Sequence, residues 1–247
     1  MNITQYQELL QRYINHSDEK QVVAKKIVQQ STNFPVPSRI LDVGCGTGLI
    51  SNAMADLGHK VTAIDLKNSF VASPNSKNPV TFIKTDVFAF KQEQKFDLII
   101  AAYVFWEIPM ERWEALMDHL FGLLNTGGKI FVIDTINDTP YDNIYVDFNI
   151  WTAHQPISKS NDELKDYWYE FLDEKKYAYK KNIFETHITA KDPEEMYGAL
   201  EFFFQDKSKS LYQSQKNRFL ESFTKNQTKK GIVLRICHSL DVIAKGL

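Results

Sequence analysis

Three glycines alternate with other residues in the segment Ile40–Ser51, which reads ILDVGCGTGLIS. Gly44, Gly46 and Gly48 follow an apolar run and precede a helical pattern. Glycine permits a positive φ and lets a ligand approach the backbone, while the N-terminus of the following helix offers unpaired N–H groups. This combination predicts a binding site for an organic cofactor.

A carboxylate stands at the end of the next apolar run. Asp65 ends the sequence VTAID, where it could accept hydrogen bonds from both hydroxyls of a ribose. The dinucleotide fingerprint GxGxxG differs, because Leu49 stands where its third glycine belongs. A nicotinamide-dependent oxidoreductase is therefore an alternative that the glycine spacing disfavours. The segment directly after the fourth apolar run reads YVFWE (103–107) and carries no Tyr-x-x-x-Lys pair to support it.

Short β-like runs separated by helix-length intervals surround these residues, a pattern typical of βα units around a parallel sheet. The predicted fold is a doubly wound, Rossmann-like α/β fold with a seven-stranded, mostly parallel sheet. Two late strands, 180–190 and 231–246, are expected to pair antiparallel at one edge, with 193–224 packed outside. The other five predicted strands are Ile40–Val43, Val61–Asp65, Val80–Lys84, Phe96–Ala102 and Lys129–Asp134, and two clear predicted helices are Thr47–Leu57 and Pro109–Leu124.

The chain is expected to form one domain of four segments. Residues 1–38 would be an N-terminal helical lid, ended by the two prolines of FPVPS. Residues 39–134 would be the cofactor-binding core. Residues 135–178 would be a helical insert that forms a lid over the substrate, and 179–247 would supply the C-terminal edge strands and helices.

Composition narrows the range of partners. Lys and Arg number 29 against 31 Asp and Glu, a formal net charge of −2, which disfavours nucleic acid and anionic membranes as partners. No apolar run approaches the ~20 residues that cross a bilayer, and the N-terminus lacks a signal-peptide core. Cys45 and Cys237 predict a reduced, cytoplasmic protein. The expected assembly is a monomer or homodimer.

Four segments together resemble the ordered motifs of class I S-adenosylmethionine-dependent methyltransferases. They are LDVGCGTG with Asp65, TFIKTD, FDLIIAAYVFWEIP and LLNTGGKIFVID, within residues 39–134. The resemblance implies S-adenosylmethionine as cofactor and S-adenosylhomocysteine as product. It also implies site roles: Gly44, Gly46 and Gly48 border the methionine part, Asp42 orients the loop or the amino group, Asp65 holds the ribose hydroxyls, Asp86 and Val87 meet the adenine, and Ala102 and Tyr103 face the sulfonium end. Leu66, next to Asp65, would give the adenine face an aliphatic neighbour.

Subclass markers point to a small-molecule acceptor. The chain has Ala101–Val104 where amino-methyltransferases of DNA or protein amides carry an (Asp/Asn/Ser)-Pro-Pro-aromatic motif, and neither cysteine follows a proline as in cytosine-C5 enzymes. The fourth strand does not end in the Asp of metal-dependent catechol enzymes, so no metal is implied. The acceptor atom is nitrogen or oxygen. A non-catalytic S-adenosylmethionine-binding partner protein is a further alternative.

Aromatic and acidic residues are the candidates for acceptor binding and catalysis. His154, Glu107 and Tyr103 are the predicted catalytic residues, with His154 as a possible base. Several have an ordinary structural alternative: Tyr6 and Tyr13 as core, Glu107 as a helix cap and Asp86 as a turn residue. The predicted acceptor-binding residues are Tyr6, Tyr13, Phe105, Trp106, Tyr141, Tyr145, Trp151 and Trp168.

Overall fold

The computed structural model describes residues 3–72, 78–136, 161–204 and 209–245. The helices in these ranges are α1 (Ile3–His16), α2 (Glu19–Ser31), α3 (Leu49–Asp56), α4 (Trp113–Leu123), α5 (Asn161–Glu174), α6 (Pro193–Leu200), α7 (Lys209–Ser214) and α8 (Lys216–Thr224). The strands are β1 (Arg39–Val43), β2 (Lys60–Asp65), β3 (Thr81–Lys84), β4 (Phe96–Ala102), β5 (Leu124–Ile136), β6 (Ala178–Ala190), β7 (Gln227–Thr228) and β8 (Gly231–Ala244). Short 3₁₀ turns cover Phe105–Glu107, Met110–Arg112 and Glu201–Phe204.

The strands form one sheet in the order β3-β2-β1-β4-β5-β8-β6, with β7 paired to β8. The pairs β1–β2, β1–β4, β2–β3 and β4–β5 are parallel. The predicted doubly wound, mostly parallel sheet is confirmed. The main path has the seven predicted strands, and the two-residue β7, too short to leave a sequence pattern, adds an eighth.

The edge formed by β6 and β8 is antiparallel, as predicted. The side chain of Thr186 hydrogen-bonds that of His238 over 2.7 Å. The α-carbon of Gly231 lies against the backbone of Ala190. Because residue numbers rise along β6 while those of the contacting residues fall along β8, the two strands run in opposite directions.

The chain divides into two compact units. Unit 1 comprises Met1–Val22, Ile136–Asp166 and Phe184–His238, and unit 2 comprises Val23–Thr135, Tyr167–Ile183 and Ser239–Leu247. The strands β6 and β8 each pass through both units. The four-segment, single-domain arrangement stays a prediction.

The core of unit 2 forms on the central strands and α4. β1 and β4 are buried along most of their length, as expected for strands covered on both faces. In α4, apolar residues recur at intervals of three and four, which places them on one face. Burying each stabilises the fold by about 1.5–3 kcal/mol. The buried residues of α4 are Trp113, Leu116, Met117, Leu120 and Leu123.

The core of unit 1 joins α1, α6 and α8 to the first part of β8. The helix α6 begins at Pro193 after Asp192, whose carboxylate accepts a hydrogen bond from Glu195 N over 2.9 Å. This N-cap satisfies an otherwise orphan donor, and the proline at the first helical position costs no hydrogen bond.

Two predicted boundaries are wrong at their starts. The predicted helix Pro109–Leu124 begins as a 3₁₀ turn at Met110, and α4 starts only at Trp113. The indole Nε1 of Trp113 donates to the carbonyls of Phe105 and Ile108 at 3.0 Å each, which holds these turns in place of a regular helix start. The fifth strand begins at Leu124 instead of Lys129, with a register shift opposite Phe96 and Leu98.

Among the residues that the structure describes, no helix combines the length and apolar character that crossing a bilayer requires.

Candidate functional site

The glycine loop leaves the carboxyl end of β1, between the parallel neighbours β2 and β4. The amides of Gly44 and Cys45 donate to the carbonyl of Ile64 at 2.8 and 3.1 Å, and Gly48 N donates to Cys45 O at 2.9 Å. The strand order reverses direction between β1 and β4, where open α/β sheets bind ligands. The loop therefore lies at the expected ligand-binding edge of the sheet.

Each glycine of the loop has a different physical reason. All three have a positive φ: 67° at Gly44, 54° at Gly46 and 82° at Gly48. A Cβ on Gly44 would come within 2.8 Å of the side chain of Val104, and one on Gly48 within 2.3 Å of the ring of Phe70. Apart from Gly46 and its two chain neighbours, no described residue has an atom within 4 Å of a Cβ built on Gly46. Gly46 is thus the glycine that borders open space.

Asp65 connects the end of β2 to this loop. Its Oδ2 accepts a hydrogen bond from Gly46 N over 2.8 Å, and its Oδ1 accepts one from Lys67 N over 2.7 Å. An ionised carboxylate offers about four lone-pair positions. The two backbone donors therefore leave Asp65 with acceptor capacity beside the open space at Gly46.

The chain after β2 returns to the loop. Ser69 Oγ donates to Gly46 O over 3.1 Å, and Val71 N donates to Thr47 O over 3.1 Å. The ring of Phe70 lies on Gly48 and stacks on Phe82 with ring centroids 5.2 Å apart. These contacts fix the glycine loop from outside the sheet. Ser69 and Phe70 could not be found from the sequence, because the segment DLKNSF shows no motif or periodicity that would single them out.

Asp42 is a buried acid beneath the loop. It is 1% exposed, and Ser51 Oγ in α3 donates to its Oδ2 over 2.5 Å. Burial raises the pKa of Asp42 to about 7, although the hydrogen bonds from Ser51 act in the opposite direction. The contact anchors the first turn of α3 to β1. Of the two roles that the resemblance implies for Asp42, this contact supports the orientation of the loop.

Asp86 follows β3 in an exposed turn. Its Oδ1 accepts a hydrogen bond from Phe88 N over 2.8 Å, and the preceding Thr85 N donates to Asp65 O over 2.9 Å. The turn role weighed from the sequence is therefore present, and the Thr85 contact ties this turn to the end of β2. Val87 is partly buried, whereas Leu66 is 65% exposed. Their predicted contacts with the ligand stay predictions.

Tyr103 follows Ala102 at the end of β4 with a φ of 59°, a strained value for a bulky residue. Its N–H donates to Ile133 O over 2.8 Å, which extends the parallel ladder between β4 and β5 by one step. The next residue, Val104, is the one whose side chain packs on Gly44. The end of β4 thus contacts the glycine loop directly. Both Ala102 and Tyr103 are partly buried at this edge.

Three predicted acceptor-binding residues are buried in hydrophobic cores. Phe105 and Trp168 lie in the core of unit 2 with ring centroids 4.8 Å apart, and Trp168 Nε1 donates to the buried Asp241 over 2.9 Å. Tyr13 lies in the core of unit 1, where its ring packs edge-on against Phe203. All three side chains therefore have packing roles, and their binding roles are untested.

The structure describes the side chain of only one of the remaining predicted residues, Glu107. Glu107 is exposed and ends the 3₁₀ turn Phe105–Glu107, so it does not cap α4. Tyr6 and Trp106 lie in described segments, but their side chains are outside the description. His154, Tyr141, Tyr145 and Trp151 lie outside the described residues altogether.

Cys45 and Cys237 are the two cysteines of the chain, and no disulfide joins them. Burial raises the pKa of Cys45, which disfavours a reactive thiolate in the loop. Within the described ranges, no group of three or more His, Cys, Asp or Glu side chains is arranged to hold a metal ion.

The fold and the loop define a nucleoside-cofactor-binding α/β protein. A family model described as a methyltransferase domain matches residues 14–201, and the chain belongs to this family. This membership confirms the predicted class, the S-adenosylmethionine-dependent methyltransferases, and with it the cofactor S-adenosylmethionine.

Curated relatives match part of the chain. The ubiquinone biosynthesis O-methyltransferase of Xanthomonas axonopodis pv. citri is 34% identical over 113 residues, which are 43% of this chain and 46% of that protein. The enzyme of the same name from Xanthomonas euvesicatoria pv. vesicatoria is 34% identical over 110 residues, 42% of this chain and 45% of the relative. The chain therefore spans about half the length of the curated relatives it matches.

Solved structures share the fold at low sequence identity. A protein assigned as a methyltransferase from Bacillus halodurans C-125 has a TM-score of 0.61 and 18% identity, covering 91% of this chain and 99% of its own. The YcgJ protein from Bacillus subtilis has a TM-score of 0.62 and 16% identity, with coverages of 91% and 98%. The plantazolicin methyltransferase BpumL, solved with S-adenosylhomocysteine, has a TM-score of 0.53 and 16% identity, with coverages of 98% and 90%.

The residues at the loop fit a sulfonium nucleoside. The open space at Gly46 leaves room for a ligand against the backbone, and Asp65 beside it retains acceptor capacity for ribose hydroxyls. The Asp86 turn follows β3 at the same edge of the sheet.

Two glycine variants distinguish the effect of backbone strain from the effect of a methyl group that meets the ligand at Gly46. We expect Gly46→Ala to weaken S-adenosylmethionine binding by about 1–3 kcal/mol, the usual cost of an extra methyl in a packed contact. Calorimetric titration measures the affinity. Gly127→Ala is the matched control, because Gly127 also has a positive φ, 80°, with no atom of the described residues within 4 Å of a Cβ built on it. Both variants should lose about 1–2 kcal/mol of stability. Equal cofactor affinity in the two variants would contradict the assignment.

The raised pKa of Asp42 makes the free energy of unfolding depend on pH. Since the pKa of Asp42 is raised to about 7 in the folded protein, the folded state holds a proton that the unfolded state has released between about pH 4 and pH 7. The stability that Asp42 contributes is therefore full at low pH and is lost as the pH rises through about 7. The difference in free energy of unfolding between wild type and Asp42→Asn should change by about 1.4 kcal/mol per pH unit in this window. Urea unfolding at several pH values measures it, and a constant difference would refute the raised pKa.

Proposed function

We propose that this protein transfers the methyl group of S-adenosylmethionine to a hydroxyl oxygen of a small organic molecule. The observation that carries the proposal is the junction of Asp65 with Gly46, where a carboxylate holds the loop amide beside open space. The 34% identity to enzymes named ubiquinone biosynthesis O-methyltransferase supports oxygen as the acceptor atom. Nitrogen, which the sequence left open, has no such support.

The cofactor is held by residues at one edge of the sheet in unit 2. Gly44, Gly46 and Gly48 shape the backbone that receives the methionine part, and Asp42 orients the loop from beneath. Asp65, next to Leu66, accepts hydrogen bonds from the ribose. Asp86 and Val87 meet the adenine. The bond from Thr85 N to Asp65 O supports a common ribose and adenine edge, because it holds the ends of β2 and β3 together.

Bound S-adenosylmethionine supplies an electrophilic methyl group on a positively charged sulfur. The protein must then align the acceptor oxygen with that methyl and exclude water, and such alignment alone lowers the barrier by several kcal/mol. Ala102 and Tyr103 border the reaction at the end of β4. The hydrogen bond from Tyr103 N to Ile133 O supports this placement, because it fixes the backbone that carries the ring.

A hydroxyl acceptor also has a proton to lose. A phenol with a pKa near 10 is about 99.9% protonated at pH 7, so a base that removes the proton raises the reactive fraction. We assign this role to His154 or to the exposed Glu107, with Tyr103 orienting the oxygen. Tyr6, Trp106, Tyr141, Tyr145 and Trp151 are proposed to surround the acceptor. The packing of Tyr13, Phe105 and Trp168 supports a weaker contribution from these three.

Removal of the Asp65 carboxylate should weaken the ribose contact. We expect Asp65→Ala to reduce the affinity for S-adenosylhomocysteine by about 1–3 kcal/mol, the cost of losing buried hydrogen bonds. The side chain also holds Gly46, so a ligand-side control is needed. Wild type should bind the 2′-deoxy analogue of S-adenosylhomocysteine more weakly than S-adenosylhomocysteine itself, whereas the variant should bind the two nucleosides with equal affinity. If the variant discriminated between them as strongly as wild type does, Asp65 would not contact the ribose.

The reaction is tested by incubating the purified protein with S-adenosylmethionine carrying an isotope-labelled methyl and with a metabolite extract. We expect a product heavier than its precursor by one methylene unit, with the methyl carbon at the chemical shift of a methyl ether. A labelled N-methyl product would overturn the oxygen assignment. Cofactor binding without any product would favour the non-catalytic binding protein.

A further inference from the structure

The connection between β3 and β4 lacks a crossover helix. It runs from Thr85 to Lys95 and, after Asp86, contains only a turn and bends. Successive parallel strands of an α/β sheet are usually joined through a helix that covers one face. Among the described residues no such helix follows β3. Thr81 and Ile83, which share one face of β3, are exposed, so this face is open.

A cavity of about 510 Å³ lies on this open face, within unit 2. Its walls come from the starts of β1 and β2, from β3 and from residues 90–92 of the connection. Phe90 and Ile83 give it apolar surface, and Thr62 and Thr81 add hydroxyl groups. The volume falls within the ~300–1,000 Å³ typical of small-molecule sites.

The charge of this cavity is of one sign. Arg39, Lys60 and Lys91 line it, and no Asp or Glu occurs among the described residues of its lining. The nearby Asp97 accepts hydrogen bonds from the backbone of Arg39 and from Asn125 Nδ2, at 2.8 and 2.7 Å, so its carboxylate has other partners. Three cations around one cavity create a positive potential that a multiply charged anion would match.

Arg39 provides a fixed anchor. Its Nε donates to Lys95 O over 3.1 Å, and its guanidinium carbon lies 5.7 Å from the ring centroid of Phe96. One of its five N–H donors is used in this contact, and the planar group keeps donors for a ligand. A guanidinium held in one orientation loses little entropy when it binds a phosphate in a bidentate manner.

The cationic end of the cavity lies away from the glycine loop. Lys60 starts β2 and pairs with Arg39 of β1, whereas Asp65 ends β2 at the glycine loop. Six residues of a strand span about 17 Å, so the two positions are at opposite ends of β2. The apolar wall extends along β3 to Ile83, which pairs with Ile64. A phosphate held at Arg39 and Lys60 therefore does not overlap a nucleoside at Gly46.

We propose that this cavity is a second binding site, for a small organic phosphate whose dianionic group is held by Arg39, Lys60 and Lys91. The apolar and hydroxyl-bearing walls receive the organic part. The inference rests on the fold and the cavity, not on the proposed methyl transfer.

The test uses the 247-residue chain saturated with S-adenosylhomocysteine, which keeps the probes out of the cofactor site. Glucose 6-phosphate and pyrophosphate are titrated by calorimetry, with glucose as the uncharged counterpart. We expect both phosphates to bind, glucose not to bind, and the affinity to fall as the salt concentration rises.

Variants assign the binding to the cavity. Lys60→Gln and Lys91→Gln should each weaken phosphate binding about two- to five-fold, as expected for partly exposed ion pairs. Arg39→Lys keeps the positive charge but loses the planar set of guanidinium N–H donors, so it should weaken phosphate binding as well. Lys229→Gln, at an exposed turn of unit 1, is the control and should have no effect. No phosphate binding, equal binding in all variants, or displacement of S-adenosylhomocysteine by the phosphates would each overturn the proposal. Failure of the methyl-transfer assay would not.

Discussion

The hydrogen bond between the Asp65 carboxylate and the Gly46 amide is the contact on which the candidate site depends. It joins the end of β2 to the loop that follows β1, where the backbone has a positive φ and therefore cannot continue either element. Ile64 O accepts the amides of Gly44 and Cys45 from the same side. Because the loop is joined to β1 and hydrogen-bonded to the end of β2, its backbone has one conformation before any ligand binds. Such preorganisation reduces the ordering cost of binding.

Most of the fold could be predicted from the sequence, because parallel strands with helices between them leave strong local patterns. The runs at β1, β2 and β4 are short, apolar and bounded by turn residues, and the structure changes them by one residue at most. The start of α4 could not be predicted in this way. Pro109 marks a permitted helix start in any sequence, but the two carbonyls that bind the Trp113 indole hold the preceding residues in 3₁₀ turns, and that contact is tertiary.

The candidate site shows the same division. Glycine spacing identified the loop, yet the three glycines could not be told apart, because Val104 and Phe70 reach Gly44 and Gly48 from distant parts of the sequence. The aromatic residues illustrate the opposite problem. An aromatic side chain suits a ligand pocket and a core equally well, and Phe105 and Trp168 lie in a core cluster in which the indole N–H of Trp168 finds a buried carboxylate.

Positive φ has a different physical cause at two non-glycine residues of the described chain. Tyr103 and Lys176 are both non-glycine residues with positive φ, at 59° and 55°. At Lys176 the reason is local: Lys176 N and Tyr177 N donate to the carbonyls of Asp173 and Leu172, which closes the end of α5 as a left-handed cap does. Tyr103 follows a strand and caps no helix. Its conformation costs about 1–2 kcal/mol, and what it achieves is to turn the chain so that Val104 meets Gly44 while Tyr103 N still reaches β5. Strain of this kind persists only where the surrounding structure enforces it, and here the surroundings are the glycine loop and the ends of β4 and β5. The left-handed turn at Tyr103 is therefore, like the glycines, part of the backbone that forms the candidate site.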